Sequence, residues 1–201
     1  MPNLKNPNHP KKGSSIKVQP IRDVKAIKRI KAILKADSPR NYCLFVLGIN
    51  TAYRINELLS IKLFQVSSLS TGDVLDLKQS KNSRYRATTL NRAAYEALHL
   101  WLSVYDRPFA NAPLFPSRKT GSALTVSTCS NMVKQWCADV GLEGNFGSHS
   151  LRKTWGYHQR VRFNQPTALI SRALGHNSEK ETITYLGIQS TEIGELYENE
   201  V

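Results

Sequence analysis

Six residues of this chain have types and spacings suited to breaking a phosphate ester: Arg54, Lys81, His149, Arg152, His176 and Tyr185. An arginine donates two parallel hydrogen bonds to a phosphate and stays charged at any relevant pH. His149 and Arg152 are three residues apart, so on a helix they share a face and can meet one anion together. Attack on a phosphodiester places negative charge on the non-bridging oxygens, which preorganised cations stabilise. Tyr185 supplies a candidate nucleophile. Its phenol, with a reference pKa near ~10, needs a proton acceptor or a stabilised anion. The departing alkoxide needs a general acid. Two arginines, two histidines, a lysine and a tyrosine cover all of these needs.

Each residue also has an ordinary reading when taken singly. Arg54 pairs with Glu57, Lys81 is a turn lysine with Lys78 and Arg84 close by, the two histidines cap helices or fill core, and Tyr185 is a half-buried packing residue. His158, six residues past Arg152, falls off that helix face and reads as structural.

The elements that must position these side chains can be read from periodicity. Val24, Ile27, Ile30 and Leu34 predict a helix over residues 23–35, and Ser38-Pro39 opens a mostly buried helix to residue 49. Arg54 heads a short amphipathic helix over 54–61, where Glu57 either orients it or closes the first turn. Residues 73–77 and 84–90 predict two short strands around a turn at 79–83, which carries Lys81. A helix starts at Asn91, prolines and Gly121 mark a loop region, and an apolar stripe runs from Val126 to Val140. Its aromatic neighbours read as core, not as a platform for stacking bases. Helices follow over about 150–163 and 166–173, and the S-x-x-E box at Ser178 and Glu181 opens one bearing Tyr185. The fold class expected is mainly α with a small antiparallel β-hairpin. The expected division is a basic N-terminal arm over 1–20, one catalytic domain over 21–190 and a C-terminal tail helix over 191–201.

Charge is distributed unevenly. Residues 1–40 hold 11 Lys/Arg against 2 acids, whereas residues 177–201 hold one Lys against 6 Glu. With a net charge of +13, the body of the chain suits an anionic partner such as nucleic acid. No apolar run approaches the ~20 residues that span a bilayer, and the N-terminus lacks a signal peptide's apolar core. Cys43, Cys129 and Cys137 form no C-x-x-C and read as reduced buried thiols. A cytoplasmic protein is expected, with no membrane partner and no metal site.

The ordered set of motifs resembles the tyrosine recombinases, or phage integrases, in their catalytic domain. It comprises A-x-R-x-x-E-L at 52–58, the hairpin lysine Lys81, H-x-L-R at 149–152, L-G-H at 174–176 and a tyrosine nine positions later. The resemblance covers residues 20–200, and the ordered set is far more specific than any one piece. It implies that Arg54 and Arg152 clamp the scissile phosphate, His149 handles the tyrosine's proton and His176 bonds a non-bridging oxygen. It further implies that Lys81 protonates the 5′-hydroxyl and that Tyr185 forms a 3′-phosphotyrosyl link, with no metal or nucleotide cofactor. The implied partners are double-stranded DNA, further copies of the chain as a dimer or tetramer on DNA, and accessory DNA-binding proteins. Larger integrases carry a core-binding domain ahead of this one. The short basic lead here suggests a stand-alone recombinase, with a fragment or a domesticated relative as the alternative. The acidic segment from Thr191 to Asn199 resembles the tail that the family exchanges between subunits, against simple packing on its own domain. Two other functions fit the same residues: a type IB topoisomerase-like nicking-closing enzyme, and a DNA-binding accessory protein with an unused site.

Overall fold

The computed structural model describes residues 18–78, 85–106, 109–188, 197–198 and 200. Eight helices and one hairpin are formed among them: α1 Val24–Asp37, α2 Pro39–Gly48, α3 Ile55–Ser60, β1 Val74–Lys78, β2 Tyr85–Thr89, α4 Arg92–Leu102, α5 Val126–Asp139, α6 Ser148–Val161, α7 Thr167–Leu174 and α8 Glu179–Leu186. This is the mainly helical class with a small antiparallel hairpin expected from the sequence. Residues 1–17, most of the expected basic arm, lie outside the described residues, as do Lys81 and most of the segment after Ile188.

Local chemistry sets the helix boundaries. The Asp23 carboxylate accepts from the Lys25 amide at 2.7 Å to open α1, whose Ala26, Ile30 and Leu34 face inward between exposed lysines. Ser38 ends α1 by donating its N–H to the Leu34 carbonyl at 2.9 Å, and Pro39 then starts α2. Asn91 and Thr125 cap α4 and α5 through bonds of 2.9 and 3.1 Å. Helix α6 begins at Ser148, two residues before the expected position 150. The Ser150 hydroxyl accepts from the Gly147 amide at 3.1 Å and closes that turn, which puts His149 inside the helix. A serine there is not the Glu or Gln by which such a box is recognised in a sequence.

Helix α2 is the hub of the core and packs on α1, α3, α4 and α6. Its Phe45 meets Trp136 of α5 edge-on, with ring centroids 5.9 Å apart. A second, smaller cluster joins Ala52, Ile170, Leu174 and Leu186, flanked by Trp155 and Tyr185. Residues 18–22 run along the molecule toward α6, where the Ile21 N–H donates to the Thr154 hydroxyl at 2.8 Å and the Ile21 carbonyl lies 2.9 Å from His158 Nε2. The structural reading of His158 rests on that bond. The three cysteines are buried and unpaired, and burial pushes their thiols up. Among the described residues, no helix is long and apolar enough to cross a membrane.

Two glycines set the spacing around α8. A β-carbon on Gly156 would lie 2.6 Å from Cδ2 of Leu186, so α6 and α8 approach through this position. Gly175 ends α7 with φ +63°, and a β-carbon there would lie 2.8 Å from Nη2 of Arg86. Asparagine usually tolerates such a left-handed cap. Here its β-carbon meets the same guanidinium. Gly175→Ala and Gly175→Asn are therefore both expected to lower stability, by about 1–2 kcal/mol, with asparagine giving no advantage in thermal denaturation. Equal Tm for Gly175→Asn and the native chain would show that Arg86 yields freely.

Candidate active site

The site is assembled where α3, the hairpin, α6, α7 and α8 meet. Arg54 occupies the N-cap of α3 and does not lie within the helix. Glu57 both orients it and closes the turn. One carboxylate oxygen accepts from the Arg54 amide at 2.7 Å and the other from Nη1 at 3.0 Å. Just before it, Ala52 has a left-handed φ of +57°, which costs an alanine about 1–2 kcal/mol. The neighbours hold it there. Tyr53 is fully buried and its hydroxyl lies 2.5 Å from the Leu75 carbonyl and 3.1 Å from the Arg86 carbonyl, while Thr88 donates to the Thr51 carbonyl at 3.1 Å. These bonds attach the hairpin to the segment that presents Arg54. Burial pushes the Tyr53 phenol up to about 12, so it remains a neutral donor.

On α6, His149, Arg152, Lys153 and Gly156 form one helical stripe. His149 is exposed on the first turn, whereas Arg152 and Lys153 are buried. One nitrogen of Arg152 donates to the Leu174 carbonyl, and among the described residues its Nη1 is buried with no hydrogen-bond partner. His176 follows the left-handed Gly175, and its Nδ1 lies 2.9 Å from the Thr182 hydroxyl. That hydroxyl lies 2.9 Å from Ser171 Oγ, so the end of α7 and the first turn of α8 are joined through the imidazole's anchor. Tyr185 stands on α8, with its ring 4.8 Å from the His176 ring in an edge-on arrangement. Lys153 Nζ sits 4.8 Å from the centroid of the same ring.

Arg54, His149, Arg152, His176 and Tyr185 thus come together from positions 131 residues apart in the chain. Lys81 lies outside the described residues, between β1 and β2 in sequence. Three contributors were not singled out in the sequence. Arg86 on β2 pairs with Leu77, is buried, and lies 3.9 Å from Glu57 while donating to the Ala173 carbonyl and, at 3.3 Å, to the Leu174 carbonyl. Strand alternation against the apolar Leu75 and Leu77 carried a signal, but only once the pairing register was known. Lys153 was accessible from the helical spacing 149, 152, 153, 156. Thr182 had no signal beyond lying between the Ser178 cap and Tyr185.

The electrostatics are those of an anion site. Desolvation lowers the Arg152 guanidinium to about 10, with Arg86 and Arg54 acting in the same direction and Tyr185 and Glu57 against it. It remains charged near neutrality. Desolvation, then Arg152, Lys153 and Arg54, lower the proton affinity of His149. His176 is lowered by desolvation first and by the three arginines, with Glu181 opposing. Tyr185 is raised by desolvation, which outweighs the pull of Arg152, Arg54 and Arg86 toward the phenolate. Among the described residues, no group of three or more His, Cys, Asp or Glu is placed to hold a metal ion.

The Phage integrase family matches residues 23–192. The chain is 33% identical over 172 residues to the probable integrase/recombinase YoeC of Bacillus subtilis (strain 168), covering 85% of this chain and 90% of that protein. Its fold is similar to XerA recombinase, with TM-score 0.72 at 21% identity over 89% of this chain and 64% of that one. It is also similar to the XerH site-specific recombinase in a post-cleavage complex with a palindromic difH substrate, with TM-score 0.69 at 22% identity over 91% and 53%. The chain therefore spans about half to two thirds of these solved recombinase chains. A match over most of the sequence, with this mainly helical fold around the cationic site, places the chain in the phage integrase family of tyrosine recombinases.

Proposed function

We propose that the chain is a site-specific DNA recombinase that cleaves and rejoins strands through a covalent 3′-phosphotyrosyl link at Tyr185. The observation that carries this reading is the gathering of Arg54, Arg152 and His176 around the tyrosine, with a buried Arg152 nitrogen left for an anion. A charged donor without a partner is costly in a buried site, and a phosphate oxygen is its natural complement. Arg54 and Arg152 then hold the scissile phosphate, and the His176 ring, fixed through Nδ1, presents Nε2 to a non-bridging oxygen. His149, held neutral near pH 7, takes the phenol proton as the tyrosine oxygen bonds phosphorus. The bond to the 5′-oxygen breaks, and Lys81 supplies its proton. The phosphotyrosyl bond conserves the energy of the broken one, so a 5′-hydroxyl from another strand reverses the step. No metal or nucleotide takes part in these steps.

Double-stranded DNA is the proposed partner, in keeping with the net charge of +13 and with the XerH complex. Strand exchange requires a multimer on paired sites, and accessory proteins would add to the grip on DNA. A bacterial or mobile-element protein acting on DNA in the cytoplasm fits this reading.

Nicked suicide duplexes drawn from DNA flanking the gene test the proposal. The native chain should form a covalent adduct that survives denaturing electrophoresis, and Tyr185→Phe should abolish it while leaving DNA binding nearly unchanged. Absence of an adduct despite binding would favour an accessory DNA-binding role. An adduct with plasmid relaxation by the monomer, and no recombinant on any paired site, would favour nicking-closing. Arg152→Ala should slow adduct formation by about 10²–10³-fold, the usual loss for one donor to a developing oxyanion.

The acid limb of the cleavage rate gives a separate test. His149 has a lowered proton affinity, so its neutral form persists to lower pH than for a free imidazole. Cleavage should fall off only below about pH 6.5, as the ring protonates. An acid limb above that value would exclude neutral His149 as the proton acceptor.

A further inference from the structure

We propose that Lys153 is a positioning residue for the tyrosine: its ammonium sits on the face of the Tyr185 ring, fixes the ring's orientation and stabilises the phenolate. Its bearing on cleavage rests on the reading of Tyr185 as nucleophile, whereas the contact and its effect on the phenol do not.

Lys153 is only 8% exposed, unusual for a lysine, and burial of an ammonium is unfavourable without compensation. The ring face contributes to that compensation. Nζ lies 4.8 Å from the ring centroid, within the range at which a cation is drawn to an aromatic face. The His176 ring meets Tyr185 at an interplanar angle of 75°, so the phenol has an imidazole in a T-shaped contact as well as a cation. The backbone of α6 fixes the partner precisely enough to matter. Lys153 follows Arg152 directly, and at Gly156, about one turn on, a β-carbon would meet Leu186 of α8.

Other charged groups among the described residues surround the ring. Arg152 comes from α6, Arg54 from the start of α3, Arg86 from β2 and His176 from beyond α7. Glu57 stands behind Arg54 and Arg86. On α8 itself, Glu181 accepts from the Asn177 amide at 3.0 Å. The arginines are each directed by other partners: Arg54 by Glu57, Arg86 by the Ala173 and Leu174 carbonyls, and Arg152 by the Leu174 carbonyl. Lys153 is the cation placed over the ring face, and its attraction grows as the ring gains negative charge.

The test is direct titration of Tyr185 in the 201-residue chain carrying ¹³Cζ-tyrosine, the resonance assigned by its loss in Tyr185→Phe. The readout is the pH at which one tenth of the residue is ionised. Lys153→Met, which keeps the length and removes the charge, should raise that pH by roughly one unit or more, the size expected for a cation about 5 Å away. Lys153→Arg should stay within a few tenths of native. The pH profile of adduct formation should move in the same direction for Lys153→Met. Circular dichroism establishes that each variant is folded, and Lys153→Gln replaces Lys153→Met if the latter is not. A folded neutral variant that titrates like the native chain would overturn the proposal. Absence of an adduct with the native chain would overturn the nucleophile reading alone, because the titration needs no DNA.

Discussion

The carbonyl of Leu174 accepts from two buried guanidiniums, Arg86 and Arg152, and much of the site depends on that arrangement. It is one of the last carbonyls of α7, where the helix has run out of its own donors and carries a partial negative charge. The left-handed Gly175 turns the chain away immediately afterwards, which leaves this end open to side chains from β2 and α6. The Ala173 carbonyl also accepts from Arg86. The end of a helix therefore does the work that a carboxylate would otherwise do. It holds two arginines without neutralising them.

That distinction matters because of how the charges are balanced. Arg54, Arg86, Arg152 and Lys153 converge on a region where Glu57 is the one buried carboxylate among the described residues. Full pairing of each cation would leave nothing to offer an anion. Glu57 instead spends both oxygens on Arg54, with Arg86 Nε further off at 3.9 Å. Such a cluster is unfavourable for folding, since desolvation and mutual repulsion act together on Arg152. The offset comes from the large core around α2 and the bonds that tie the hairpin down through Tyr53 and Thr88. Strain at Ala52 belongs to the same pattern, a local cost carried by well-packed surroundings.

The residues legible in the sequence are those whose geometry is set within a turn or two of helix. His149 and Arg152 fall on one face because they are three apart, and the Ser178 box positions α8 and hence Tyr185. Arg54 was legible through Glu57 for the same reason. Arg86 was not, because its burial depends on the pairing of Leu77 with residue 86, and that register follows from turn type, loop length and which face is buried. Lys153 could be placed on the right face, yet its partner is supplied by α8, from 32 positions away. The early start of α6 came from a serine acting where the usual box has a longer side chain. Local rules find the candidate side chains, whereas the placement of Arg86 and the ring contact of Lys153 are long-range.

Helix α8 shows what this leaves to tertiary structure. It is eight residues long, too short to be stable alone. At its start, Ser178 accepts from the Glu181 amide at 3.1 Å, and Thr182 meets His176 and Ser171. At its end, Arg22 donates to the Gly187 carbonyl at 3.0 Å, linking the tyrosine helix to the segment that leads into α1. Each such bond contributes about 1 kcal/mol. Leu186, the last residue of α8, is buried and packs against Gly156 of α6. The short tethers therefore fix where the helix lies, while the ring's own attitude depends on what touches it. Those contacts include His176 from one element and Lys153 from another, so the orientation of the tyrosine is a property of the assembled site and not of α8.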